Sequence, residues 1–64
     1  MDYSIIIKKI RELKKLSQEM LAKELGVSFA TINRWEGKRS KPGYSAMRKI
    51  DAYIVNNNLE VGNG

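Results

Sequence analysis

Apolar residues recur at helical spacing from the start of the chain. The first apolar set has the i, i+4, i+7 spacing of one helical face and consists of Ile6, Ile10 and Leu13. The adjacent Ile5 and Ile7 widen this face. The charged residues that follow are also helically spaced, so we expect a helix from about Tyr3 to Lys15. A β-strand from Tyr3 to Ile7 is the alternative, because β-branched residues cluster there.

The second predicted helix runs from about Gln18 to Leu25, between a serine and a glycine. Ser17 suits an N-cap, because its hydroxyl accepts from backbone N–H groups that have no partner in the first turn. Gly26 takes the left-handed conformation at little cost and so ends the helix. We expect its buried face to consist of Met20, Leu21 and Leu25.

The third predicted helix, about Phe29 to Glu36, starts after a connection of three residues. In that connection Val27 is expected in the core, and Ser28 is a second N-cap. Ile32 and Trp35, three residues apart, are also expected in the core. Two short helices joined by a glycine-containing turn of this length form a helix-turn-helix, which places its second helix in the DNA major groove.

A loop with glycine and proline, residues 37–43, precedes the fourth predicted helix, about Tyr44 to Val55. This helix offers the core Met47, Ile50 and Ile54. Residues 56–64 are low in complexity and are expected to form a flexible tail. The sequence thus predicts an all-α, compact bundle of four to five short helices, with one domain over residues 1–55 and its helix-turn-helix at about 18–36.

Composition narrows the function. The chain has 64 residues and no Cys or His, which excludes disulfides and the common zinc sites, so no metal or cofactor is expected. Its scattered carboxylates form no evident acid/base pair, so no enzyme activity and no small-molecule substrate are expected. No apolar run is long enough for a membrane span, and a cytoplasmic location is expected. The net charge of +5 fits a polyanionic partner, or alternatively an inert basic surface.

A spaced series of residues along the helix-turn-helix forms a recognisable pattern. It consists of Leu16-Ser17-Gln18-Glu19, Ala22, Leu25-Gly26-Val27-Ser28, Ile32, Trp35-Glu36 and Lys41-Pro42. This series resembles the Cro and phage-repressor family, also called XRE-type regulators, over about residues 6–55. The resemblance implies a lambda-repressor-like bundle and sequence-specific binding to double-stranded DNA as a regulator, commonly a repressor. It also implies a homodimer on a palindromic operator, although the chain is short where relatives dimerise.

The resemblance implies a set of base-reading residues around the third helix. Ser28, Phe29, Ala30 and Arg34 match positions from which the family reaches base edges, and Asn33 lies beside them. Arg34 suits guanine, because a guanidinium bonds O6 and N7 together, although a phosphate contact or solvation is the alternative. Phe29 fits a thymine methyl group or, equally well, the core.

Phosphate contacts are implied on both sides of the third helix. Gln18 matches the family glutamine that holds a phosphate and braces the recognition helix, and its alternative is a capping role with Ser17. Thr31 is a further candidate beside the base-reading face. The loop residues match the family loop that grips phosphate, or alternatively form a solvated charge run: Lys38, Arg39, Ser40 and Lys41.

The resemblance also implies an ion pair between Arg11 and Glu36, which would fix the third helix against the first. One departure concerns the turn after that pair. Many relatives have an Asn between the glutamate and the glycine, whereas this chain reads Glu36-Gly37-Lys38, so a phosphate contact by that Asn is not carried over.

Two other functions fit the same fold. The chain could be a protein-interaction module, such as the antitoxin half of a pair, or the DNA-binding domain of a longer protein, because fold does not fix function. An adaptor does not need Gln18, Arg34, Arg39 and Lys41 to converge on one face, which distinguishes the first of these from a DNA-binding regulator.

Overall fold

The computed structural model describes residues 2–61, which fold into four α-helices. They are α1 (Tyr3–Lys14), α2 (Gln18–Leu25), α3 (Phe29–Glu36) and α4 (Tyr44–Asn56). No strand is present among residues 2–61. The all-α prediction is confirmed, and the alternative of a strand at the start of the chain is wrong.

Polar side chains cap the first three helices. The Asp2 carboxylate accepts from the backbone N–H of Ser4 at 3.0 Å, and the Ser17 hydroxyl accepts from that of Met20 at 3.0 Å. The Ser28 hydroxyl accepts from the N–H of Thr31 at 3.1 Å. The two serine caps confirm the start positions predicted for α2 and α3.

All four helices end in the same backbone motif. Just past each helix lies a residue with positive φ, and the N–H of the next residue donates to a carbonyl five positions back. The positive-φ residues are Lys15, Gly26, Lys38 and Asn58. The donors that follow them are Leu16, Val27, Arg39 and Leu59. Three of these residues, Leu16, Val27 and Leu59, have apolar side chains that pack against the core, whereas Arg39 is exposed.

The core lies where α1, α2 and α3 meet, with one residue of α4 added. Its fully buried large side chains are Ile7, Ile10, Leu21, Ile32 and Ile50. Ile6, Ala22, Leu25 and Trp35 complete it. Val27 is half-buried against this cluster, as the sequence predicts, and Met47 and Ile54 of α4 are also only half-buried.

Three apolar residues expected on buried faces are exposed instead. Met20 is 50% exposed, because it projects roughly opposite the buried face of α2, at about 100° of rotation per residue. Ile5 is 59% exposed for the same reason on α1. Leu13 is 44% exposed, although it lies within about 20° of the buried Ile6 around the axis, two turns further along α1. The predictions for these three residues were wrong.

The segment after α4 is attached to the core. Helix α4 extends to Asn56, one residue further than predicted, and the N–H of Leu59 donates to the carbonyl of Ile54 at 3.0 Å. Leu59 and Val61 are half-buried against the core, so this part of the predicted flexible tail is packed. Residues 62–64 lie outside the described part of the chain.

Candidate nucleic-acid interface

Helix α3 is held by one face and leaves the other open. It packs against both α1 and α2, and its inner face contributes Ile32 and Trp35, which are 0% and 6% exposed. On the outer face Ala30 and Arg34 are exposed, and Phe29 is 52% exposed. The alternative in which Phe29 folds into the core is therefore wrong. This helix presents an arginine, an aromatic ring and a small side chain to solvent.

A hydroxyl cluster lies at the start of this outer face. The Ser28 and Thr31 hydroxyls are 2.9 Å apart, within hydrogen-bond distance, and Arg34 Nη2 donates to Thr31 Oγ1 at 3.4 Å. Thr31 is half-buried, while Ser28 and Arg34 are exposed. One long hydrogen bond leaves most of the five N–H donors of Arg34 available for another partner.

Arg11 of α1 and Glu36 at the end of α3 form a two-point ion pair. Arg11 Nε lies 2.6 Å from Glu36 Oε2, and its Nη2 lies 2.9 Å from Oε1. Arg11 Nη1 also donates to the carbonyl of Leu16 at 3.3 Å. The Glu36 side chain is 6% exposed and that of Arg11 is 27% exposed. The pair joins the ends of α1 and α3 in geometry that suits a guanidinium and a carboxylate.

The ion pair and the burial of Glu36 change the pKa of its carboxyl group. Burial raises the pKa of Glu36, but the hydrogen bonds from Arg11 and Gln18 and the charges of Arg11 and Lys8 together outweigh it, and the net pKa is lowered. The hydrogen bond to Glu36 raises the pKa of Arg11. Both groups are therefore charged near neutral pH, and the site holds a fixed carboxylate under a basic surface.

Two side-chain amides and one guanidinium form a hydrogen-bonded chain outward from Glu36, and we call it the amide relay: Gln18, Asn33 and Arg39. Gln18 Nε2 donates to Glu36 Oε1 at 3.0 Å. Asn33 Nδ2 donates to Gln18 Oε1 at 3.1 Å, and Arg39 Nη2 donates to Asn33 Oδ1. The relay connects α2, α3 and the loop after α3. Gln18 therefore faces Glu36 and Asn33, whereas the hydroxyl of Ser17 caps α2 without it.

The remaining loop residues lie apart from the relay. Lys38 Nζ is 3.4 Å from Asp2 Oδ2, in a pair whose side chains are 66% and 43% exposed. Ser40 and Lys41 line a cleft between the loop and the start of α1. Arg39 thus shares a network with Gln18 and Asn33, and the other loop cations do not join it.

A family model for helix-turn-helix domains matches residues 7–54, most of the chain. The chain belongs to the Cro and phage-repressor (XRE-type) helix-turn-helix family. It is therefore a DNA-binding helix-turn-helix protein of a regulatory family. No curated protein and no solved structure matched the chain.

The departure from the family pattern after Glu36 has a structural counterpart. Gly37 has φ −84° and is not left-handed, whereas Lys38 has φ 60°. A lysine thus takes the backbone conformation that favours glycine, because Arg39 donates its N–H to the carbonyl of Arg34 and so closes α3 there. The family resemblance implied that Gln18 braces α3, but the bonds that Asn33 makes to Gln18 and Arg39 were not predicted from the sequence.

The described residues also limit what else the site contains. Among residues 2–61 no cluster of three or more His, Cys, Asp or Glu side chains is arranged to hold a metal ion. None of the helices in this range has the length and apolar character that crossing a membrane requires.

Proposed function

We propose that this protein is a sequence-specific regulator of transcription, and a repressor, which reads double-stranded DNA with α3 in the major groove. The observation that carries the proposal is the division of α3 into two faces. Ile32 and Trp35 anchor it in the core, while Phe29, Ala30 and Arg34 are exposed. A short helix fixed on one side and open on the other is the part of a helix-turn-helix that enters the groove.

Within this proposal Arg34 reads guanine, because its planar guanidinium matches the O6 and N7 acceptors of that base. Phe29 and Ala30 contact a thymine methyl group, since both are apolar and exposed. Ser28 contributes its hydroxyl at the edge of the same face. The hydroxyl of Thr31 is held between Ser28 and Arg34, which suits a contact with the adjacent phosphate backbone of the DNA.

Phosphate contacts come from residues that flank α3. Gln18 lies at the first position of α2, where free backbone N–H groups favour an anion. The loop supplies the hydroxyl of Ser40 and three exposed cations, Lys38, Arg39 and Lys41. These contacts supply affinity and set the register without reading sequence. The net charge of +5 is consistent with them.

We further propose that two copies bind a palindromic operator. In the helix-turn-helix class the recognition helices of a pair lie about 34 Å apart, one turn of DNA, which sets the half-site spacing. The stoichiometry of a gel-shift complex on the selected site tests this. Two copies for each duplex are expected, and one copy on a full palindrome would contradict the proposal.

The test of function is selection of bound sequences from a random duplex library at two salt concentrations. The native protein is expected to enrich a half-site that contains a guanine, and Arg34→Ala is expected to lose that guanine preference. Loss of one bidentate base contact corresponds to about 1–3 kcal/mol of discrimination. Arg48→Ala is the matched control, because its guanidinium lies over the Tyr44 ring of α4.

Two outcomes would overturn the proposal. If no sequence is enriched and binding disappears at physiological salt, the basic surface acts only electrostatically. A protein-interaction module, such as one half of a toxin and antitoxin pair, would then be the better interpretation. If a site is enriched but Arg34→Ala leaves it unchanged, a residue other than Arg34 reads it.

A further inference from the structure

Asn33 has both ends of its side-chain amide in use. Its Nδ2 donates to Gln18 Oε1 at 3.1 Å, and its Oδ1 accepts from Arg39 Nη2. We infer that Asn33 is a positioning residue, which holds Gln18 and Arg39 beside α3 for phosphate contacts, and is not a base-reading residue. The inference rests on the proposed function and revises the expectation that Asn33 reads bases.

The orientation of each amide in the relay is set by its charged ends. Glu36 is a carboxylate that only accepts, so Gln18 must turn its NH₂ group toward it and its Oε1 toward Asn33. Arg39 only donates, so Asn33 must turn its Oδ1 toward it and its NH₂ group toward Gln18. The two requirements agree at the bond between Asn33 and Gln18. Each of the three hydrogen bonds in the relay therefore joins a donor to an acceptor.

This arrangement engages both ends of the Asn33 amide and leaves most of the donors of Arg39 free. An asparagine that reads adenine uses its oxygen and its NH₂ group together, and in Asn33 each of these already has a partner. Gln18 and Asn33 each keep one N–H of the side-chain NH₂ group, and Arg39 keeps four of its five N–H donors. Most of the free donors thus belong to Arg39, whose guanidinium suits phosphate.

The side chain of Arg39 is further confined by the turn. A methyl group built on Gly37 would lie 3.7 Å from the guanidinium carbon of Arg39, so the guanidinium lies against the Gly37 backbone. Its backbone N–H is bound to the carbonyl of Arg34 at 2.9 Å. Arg39 is thus held at its main chain by the end of α3 and at its side chain by Asn33.

The relay is tested first in the protein without DNA. Arg39→Ala is expected to shift the side-chain NH₂ signals of Asn33 and Gln18 in ¹H–¹⁵N spectra, because each amide orients the next. Arg48→Ala is the control and is expected to leave both signals in place. If Arg39→Ala moves neither signal, the relay is not formed and the inference fails, whether or not the protein binds DNA.

The second test is a double-mutant cycle on DNA affinity with Asn33→Ala and Arg39→Ala. Asn33→Ala is expected to weaken binding to the selected site about fivefold to tenfold, on the scale of a lost hydrogen bond, with the base preference unchanged. The combined loss is expected to be at least about threefold smaller than the product of the two single losses, because neighbouring groups couple. A cycle of Asn33→Ala with Arg48→Ala is expected to be multiplicative.

The outcomes separate this inference from the proposed function. Failure of the native protein to select any sequence removes the proposed function and with it the role of Asn33 toward DNA. Selection of a site, with multiplicative losses in the Asn33 and Arg39 cycle, removes only the inference. A changed base preference in Asn33→Ala also removes it, because that result assigns reading to Asn33. Asn56→Ala, an exposed asparagine on α4, controls for loss of an amide alone.

Discussion

Replacing Glu36 by alanine tests what holds α3 against α1. The Glu36 carboxylate accepts three hydrogen bonds, two from Arg11 and one from Gln18, and its side chain is 6% exposed. The substitution leaves Arg11 beside a small void with no anionic partner, while the NH₂ group of Gln18 loses an acceptor. We expect a large loss in the free energy of unfolding.

The magnitude follows from the burial of the two partners. Exposed ion pairs contribute about 0–1 kcal/mol, whereas breaking a buried pair costs about 3–5 kcal/mol. Glu36 is buried but Arg11 is 27% exposed and can turn toward water, so we expect a loss of about 3 kcal/mol. At about 4–8 °C for each kcal/mol, Tm falls by about 12–24 °C. A domain of this size has about 3–10 kcal/mol in total, so little stability remains.

The assay is urea unfolding followed by circular dichroism and by the fluorescence of Trp35, which precedes Glu36 in the chain. Glu12→Ala is the matched control, because Glu12 pairs with Lys9 at 3.5 Å on the surface of α1 and its side chain is 74% exposed. It is expected to cost less than about 1 kcal/mol. A loss for Glu36→Ala no larger than that of the control would refute the reasoning.

A double replacement separates loss of the pair from loss of a partner. Arg11→Met combined with Glu36→Leu removes both charges and leaves no unpaired ion. Since apolar residues of similar volume replace buried ion pairs at little cost, the double variant is expected to be more stable than Glu36→Ala. A double variant less stable than Glu36→Ala would show that the pair itself, and not the stranded Arg11, dominates.

Two further predictions concern the turn after α3 and a tyrosine of α4. Lys38→Gly is expected to raise the free energy of unfolding by about 0.5–1 kcal/mol, because φ is 60° at Lys38 and glycine adopts this conformation without strain. The control is Lys41→Gly, at a position without positive φ. Equal effects of the two substitutions in urea unfolding would contradict the prediction. Burial and the hydrogen bond to Glu24 raise the pKa of Tyr53 to about 12. The protonated phenol is thus favoured in the folded state, so its stabilisation is complete below about pH 10 and is lost as the pH rises toward 12. The pKa of Tyr53 is measured from the absorbance of its phenolate as the pH is raised. Glu24→Gln is expected to lower this pKa. Ionisation of Tyr53 near pH 10 in the native protein would contradict the prediction.

The ends of the helices were predictable because their signals are local. Ser17 and Ser28 cap α2 and α3 through residues only three positions away, and Gly26 ends α2 by its own backbone conformation. Such contacts depend on a few neighbouring residues and survive any tertiary arrangement. The family pattern then connected these helices to DNA binding, and the match over residues 7–54 confirms the family.

The orientation of side chains was harder to predict because it depends on distant partners. Met20 and Ile5 are apolar, but the neighbours of α2 and α1 decide which face is buried, and both residues project away from them. Asn33 contacts Gln18 across 15 positions of the chain. No local pattern indicates such a contact, since it exists only once α2 and α3 have packed.

Helix α3 is closed by the exposed Arg39, whose backbone N–H donates to the carbonyl of Arg34, and this affects how the sequence of the fold can vary. The other three helices are closed by an apolar residue that packs on the core, whereas α3 is closed by Arg39. The side chain of Arg39 is exposed and is held by the polar Asn33 and by the backbone of Gly37. Substitutions at the exposed loop positions Arg39 and Lys41 therefore remove little apolar burial, and their effect on stability stays small. Selection can vary these exposed positions, and with them the partners that the loop binds, while the helices that carry the loop keep the same packing.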